Sequence, residues 1–156
     1  MKIVLCVLVL LVFSVVAYLY KKHYENQSET IKEIIDYIEF YDNNISLNKE
    51  NLIEINNKFN IMQKNKNAKH LTFSLKNNML CVNNIKNLQI IDNEKINNYF
   101  NSMGVSEYIF EKEKNKAELE YLYVLHKISK DEIKTKGELG LKIIMAIGAI
   151  IAILIW

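Results

Sequence analysis

Residues Ile3 to Tyr20 carry no charged side chain, and neither do Ile143 to Trp156. All 18 acidic residues and 18 of the 20 lysines lie between them, in the 21–138 stretch. An uncharged run of 18 residues covers about 27 Å as a helix at ~1.5 Å per residue, close to the ~30 Å hydrocarbon core of a bilayer. Water-soluble folds have no ready place for two such runs. The pattern predicts an integral membrane protein with transmembrane helices at 1–20 and 139–156 and a domain over 21–138.

The flanks fit this reading. Tyr18 and Tyr20 stand where an aromatic belt belongs, followed at once by Lys21 and Lys22. The competing reading of the first run is a signal peptide, with Lys2 as its basic start and Val15-Val16-Ala17 as a small-residue cleavage site. The run is long for such a core, which favours retention. The second run reaches full spanning length when counted from Leu139, with the Lys142 stem snorkelling toward the headgroups. Within it Ala146, Gly148, Ala149 and Ala152 form a small-residue face that suits close helix packing, either on the first span or on a second copy of the chain. Two spans place the domain on one side of the bilayer. Lys21, Lys22, Lys130, Lys134, Lys136 and Lys142 flank the domain-facing ends, so the positive-inside rule points to a cytoplasmic domain, most simply at a bacterial cytoplasmic membrane. The rule is weak for a loop this long, and the opposite side stays open.

The net charge of +2 comes from Lys2 and Lys142, outside the domain. Lysine and glutamate are interleaved in the middle, without the basic stripe that a nucleic-acid binder needs. Of the two cysteines, Cys6 lies in the first span and Cys81 in the domain. They are expected to stay unpaired, with Cys81 packed in the core as a strand thiol.

Within the domain, a helical hairpin is expected over 24–62. Ile31, Ile34, Ile35, Ile38 and Tyr41 recur at helical spacing, and nothing between Tyr20 and Ile31 would break a helix continuing from the membrane. Asp42-Asn43-Asn44 reads as a turn. A second helix follows, with Ser46 or Asn48 as cap and Leu52, Ile55, Phe59 and Met62 on one face. A sheet region is expected over 69–127. Leu71, Phe73 and Leu75 alternate with Thr72 and Ser74 as one strand, Asn77-Asn78 turns, and Met79 to Val82 forms the next. Leu88 to Ile91 is a third. A short helix capped by Asp92 or Asn93 turns Ile96, Tyr99, Phe100 and Met103 inward and ends at Gly104. Strands at 107–111 and 117–126, joined by a charged turn at 113–116, complete the sheet. Ser129 and Glu132 have the spacing of a capping box opening the last helix, with Gly137 and Gly140 as a hinge. The fold class expected is α+β: an antiparallel sheet of four to five strands with covering helices, flanked by the two spans.

No catalytic pattern stands out. The glycines at 104, 137, 140 and 148 are too scattered for a phosphate loop. His23, His70 and His126 lie far apart, so neither a metal nor another cofactor is implied. An enzyme is not expected. Tyr108, Phe110, Tyr121 and Tyr123 read as cross-strand packing or an aromatic contact surface. The function these features favour is a non-enzymatic two-span protein that presents its α+β module to a protein partner or to other copies of itself, as subunit or scaffold of a membrane assembly. Alternatives are an immunity or inhibitor protein against a toxin or phage, and a membrane-anchored sensor of a small ligand.

Overall fold

The computed structural model describes residues 2–47, 51–64, 71–77, 79–83 and 93–156. The chain is mostly helical: α1 (Lys2–Leu47), α2 (Leu52–Lys64), β1 (Thr72–Lys76), β2 (Met79–Asn83), α3 (Asn93–Asn101), α4 (Tyr108–Glu132) and α5 (Glu138–Ile155), with a π-helical turn at Ile133–Gly137 joining the last two. It divides into two compact units, Glu29–Lys127 and Met1–Ser28 with Ile128–Trp156.

The core of the Glu29–Lys127 unit gathers around Tyr37 of α1. The Tyr37 ring stacks on Phe73 of β1 at 4.2 Å and meets Phe59 of α2 edge-on at 4.8 Å; Phe100 of α3 closes the cluster from 5.7 Å beyond Phe73. Ile31, Ile34, Ile35, Ile38 and Tyr41 are all buried, as helical spacing on one face requires. β1 and β2 form a two-stranded antiparallel hairpin that pairs Phe73 with Val82 and Leu75 with Leu80. Asn77 makes the turn with φ +53°, a left-handed conformation that asparagine tolerates better than most residues. The Leu71 N–H at the mouth of the hairpin donates to the Glu33 carboxylate on α1 at 2.9 Å, which ties strand to helix. Helix α3 buries Ile96, Tyr99 and Phe100, and the turn that follows it carries Gly104, where φ is +77°.

The sheet is smaller than the alternation of side chains suggests. Residues 107–111 and 117–126 are not strands, and 113–116 is not a turn; Tyr108–Glu132 is one helix. Its buried positions are Glu111, Asn115, Glu118, Leu122, Leu125 and Ser129, a four-three-four-three-four spacing on one helical face. The upper half of that stripe is polar, so the apolar residues alone do not show the helical period. The expected strand at 88–91 lies outside the described residues, so the described sheet has two strands, not four or five.

Other boundaries shift for local reasons. The expected turn at Asp42–Asn44 is helical, because side-chain bonds absorb both polar residues: Asn44 Nδ2 donates to the Phe40 carbonyl at 2.7 Å and Asp42 accepts from Asn115 at 3.3 Å. The cap of α2 is Asn51, whose Oδ1 accepts the Glu54 N–H at 3.0 Å. Ser46 lies inside α1, and Asn48 outside the described residues. Met62 is exposed, and Asn56 and Gln63 share the buried face of α2 with Ile55 and Phe59. Ser129 lies within α4, so Ser129 and Glu132 cap nothing; Glu132 pairs with Lys136 one turn on. Cys81 is half-buried and free, on the strand face opposite Leu80 and Val82, not in the core.

The other unit is an antiparallel helix pair, α1 up to Ser28 against the end of α4, the π-turn and α5. Its contacts run in opposite chain directions: Gly137 against Tyr24, Gly140 against Tyr20, Gly148 against Phe13, Cys6 against Ala152 and Lys2 against Trp156. Both helices are long and apolar enough to cross a membrane, and only 11% of each apolar stretch is buried. The core helix of a soluble domain would be buried over most of its length. Here Ile3, Leu11, Ile153 and Leu154 are more than half exposed.

Candidate functional site

Two places in the molecule combine shape with chemistry. The first is a cleft of about 500 Å³ in the Glu29–Lys127 unit, lined by Tyr41, Ile45, Ser46, Asn51, Leu52, Gly104, Ser106, Tyr108 and Glu111. The sequence builds it from three ends: the last turns of α1, the capped start of α2, and the loop from α3 into α4. Gly104 is required at this loop, since its φ of +77° disfavours any L side chain. The turn aims the Gly104 N–H at Glu111 Oε1, 2.9 Å away. Lys114 lies 3.8 Å from the same oxygen. Glu111 is 2% exposed, and its second oxygen, Oε2, is buried without a hydrogen-bond partner among the described residues.

Polar groups continue behind the cleft. Tyr99 donates to Asn115 Oδ1 at 2.7 Å, and Asn115 Nδ2 donates to Asp42 Oδ1 at 3.3 Å. Asn115 bridges a hydroxyl donor and a carboxylate acceptor, which only a side chain with both functions can do. Burial pushes the Tyr41 and Tyr99 hydroxyls well above the usual phenol range, and the neighbouring Glu111 and Asp42 carboxylates push the same way. Both phenols therefore stay neutral and can act as donors. At the rim, Tyr108 donates to Ser46 Oγ at 3.0 Å.

Further along α4, Glu118 pairs with Lys95 at 3.7 Å, and the Lys95 ammonium sits 3.4 Å from the centre of the Tyr121 ring. Burial raises the Glu118 carboxyl above its usual range, although Lys95 pulls it the other way.

The second place is the helix pair. A Cβ on Gly148 would fall 2.6 Å from Phe13 Cβ, and one on Gly140 would fall 2.2 Å from the Tyr20 ring. Gly137 has room for one, at 3.7 Å from Tyr24. The Cys6 thiol donates to the Ala152 carbonyl at 3.3 Å, and the Lys2 ammonium donates to the Trp156 carbonyl at 3.2 Å. Of the four small residues expected to share one packing face, Gly148 and Ala152 are buried against α1, whereas Ala146 and Ala149 are exposed. Gly137 closes the π-helical turn and Gly140 sits in the first turn of α5.

The aromatic residues singled out from sequence do not form a sheet surface. All four are on α4, and the stacked and edge-on ring pairs of this unit lie instead among Tyr37, Phe40, Phe59, Phe73, Tyr99 and Phe100. Tyr108 bonds at the cleft rim, Tyr121 lies under Lys95, and Tyr123 donates to Glu39 on α1. Phe110 is 64% exposed, as are Ile109 at 68% and Val105 at 77%, three solvent-facing apolar side chains of which the aromatic pattern in the sequence marks only Phe110.

His70 lies outside the described residues, His23 faces Gln27 at 3.0 Å, and His126 is on α4. Among the described residues no three His, Cys, Asp or Glu gather as metal ligands. The residues missed from sequence are Tyr41, Gly104 and Glu111, which meet only because α1, the α3–α4 loop and α4 converge. No family model, curated protein or solved structure matches this chain.

Proposed function

We propose that this chain is a non-enzymatic membrane protein, held in the bilayer by an antiparallel pair of spans and presenting its Glu29–Lys127 unit to a protein partner as subunit or scaffold of a membrane assembly. The observation that carries the reading is the apolar surface of the helix pair, where Ile3, Leu11, Ile153 and Leu154 are exposed along two helices of spanning length. Such a surface in water would drive aggregation; in hydrocarbon it is at home. The helices also satisfy each other closely at Gly148 and Gly140, the small-residue packing that membrane helices use when no hydrophobic effect pulls them together. Support for a contact role comes from Val105, Ile109 and Phe110, three exposed apolar side chains on a unit whose core is already filled by its own aromatic residues.

With lysines at the domain-facing ends of both spans, the unit is assigned to the cytoplasmic side. Fractionation and topology labelling test the reading together. The chain should remain with membranes through alkaline carbonate and leave only with detergent. A cysteine placed at exposed Glu107, with Cys6 and Cys81 changed to serine, should react with a membrane-impermeant maleimide only after the cells are opened. Recovery in the soluble fraction would remove the membrane reading, and labelling in intact cells would reverse the side. Photocrosslinkers at Val105 and Ile109 should capture a partner or a second copy, and crosslinks to lipid alone would end the contact role. A ligand-sensing role is favoured by one observation, the cleft at Glu111.

A further inference from the structure

The cleft beneath Gly104 holds a feature that folding alone does not explain. Glu111 is almost wholly buried, yet one carboxylate oxygen lacks a partner among the described residues. Burying an acceptor without a donor is unfavourable, and more so when the group is charged. The Gly104 turn and Lys114 both engage Oε1 and leave the buried Oε2 unpartnered among the described residues. The surroundings are acidic on balance, with Asp42 close enough to act electrostatically on the same Tyr41 hydroxyl that Glu111 acts on. Tyr41 Oη lies within 3.5 Å of the position a Gly104 side chain would occupy. The rest of the lining includes the apolar faces of Ile45, Leu52 and Tyr108. A cavity of about 500 Å³ is within the range of small-molecule sites, which are mostly apolar with a few placed polar groups.

We propose that this cleft binds a small primary amine with an apolar body, its ammonium donating to the buried Glu111 carboxylate and its body lying against Tyr41, Ile45, Leu52 and Tyr108. An ammonium fits better than a hydroxyl or an amide because its hydrogen bond to a carboxylate is charge-assisted and therefore stronger. An anion is disfavoured by the carboxylates already present. The proposal does not depend on the membrane reading, since every lining residue belongs to the Glu29–Lys127 unit.

Three probes with one shared body separate head-group recognition from simple partitioning into apolar surroundings: 2-phenylethylamine, 2-phenylethanol and 3-phenylpropionate. Their binding to the full chain in lipid nanodiscs is followed by calorimetry and ligand-observed NMR, with empty nanodiscs subtracted. The amine should bind saturably, about tenfold or more tighter than the alcohol, with the carboxylate weakest; a charge-assisted hydrogen bond supports a ratio of that size. Glu111→Gln should abolish the preference for the amine while leaving residual binding of the shared body. Should Glu111→Gln fail to fold, Leu52→Trp, which fills the cleft from its half-buried rim, should remove saturable binding of the amine with circular dichroism unchanged. Equal affinity for the three heads, saturation that survives Leu52→Trp, or no saturable amine binding would each overturn the proposal.

Discussion

Substituting alanine for single glycines along the helix pair separates packing from propensity. Taken alone, glycine to alanine in a helix interior is worth about 1 kcal/mol in favour of alanine. At Gly137 the new methyl would meet Tyr24 at 3.7 Å, an ordinary contact, so Gly137→Ala should be neutral or stabilising. At Gly148 it would fall 2.6 Å from Phe13 Cβ, where ordinary contact begins near 3.4 Å. That atom is fixed to the backbone of α1 and cannot swing aside, so the helices must part by roughly 0.8 Å. Overpacking of this kind costs about 1–3 kcal/mol. Because the propensity gain is common to both variants, the difference between them isolates the packing cost and should be about 1–3 kcal/mol. Gly140→Ala should fall between, because the obstruction there is the Tyr20 ring, half-exposed and able to rotate. The assay is unfolding of the purified full-length chain in mild detergent by titration with dodecyl sulfate, followed by helical circular dichroism and by the fluorescence of the single tryptophan, Trp156. If Gly148→Ala proves as stable as Gly137→Ala, the close approach of the two helices described above is wrong.

Three further outcomes are expected. In a Cys81→Ser background, Ala152→Cys should form an intrachain disulfide with Cys6 on mild oxidation, since the Cys6 thiol already touches the backbone at 152; the 6–152 linked peptide is read by mass spectrometry, and exclusively interchain crosslinks would contradict the intrachain pair. Asn115→Leu leaves the buried Tyr99 hydroxyl without this acceptor, at about 1–3 kcal/mol, and removes a donor from the part-exposed Asp42; thermal denaturation should show it, and an unchanged midpoint would argue against the network. Glu118 holds its proton more tightly in the folded chain than in the unfolded one, because burial raises its pKa. Its contribution to stability is therefore full at pH below 4.5 and declines as the pH rises through the raised folded value. Melting curves of the wild type should lose ground to those of Glu118→Gln as pH climbs toward neutrality, whereas parallel profiles would show that Glu118 titrates normally.

The parts of the fold legible in the sequence are those where one face is uniformly apolar. Ile31, Ile34, Ile35 and Ile38 show the buried side of α1, and the absence of any breaker before them anticipates a helix continuing from the first apolar run. Phe73, Leu80 and the Asn77-Asn78 turn show the hairpin; Ile96, Tyr99, Phe100 and Gly104 show α3 and its end. What failed was α4. Leu119, Tyr121, Tyr123 and Leu125 alternate like a strand, yet the buried set is Glu111, Asn115, Glu118, Leu122 and Leu125. Hydrophobicity is the wrong currency for a face whose first three positions are polar. The helix-forming composition of Glu111 to Glu120 was the better signal, and the strand alternation masked it. Asp42 and Asn44 misled in the opposite sense, since their turn preference yields to Asn115 and to the Phe40 carbonyl. The cleft was not legible because it depends on where the Gly104 N–H points, and that follows from tertiary folding.

The single amide on the buried face of α4 does more than close a network. Positions one turn before and after Asn115 on that face are Glu111 and Glu118. Were the helix to slide by a turn in either direction, a carboxylate would arrive opposite Asp42, acceptor facing acceptor and charge facing like charge, and Tyr99 would be left beside an anion. Leucine repeats tolerate such sliding because one leucine replaces another. Here both one-turn slides are electrostatically worse than the native setting, a constraint on the seating of α4 that its apolar residues alone would not enforce.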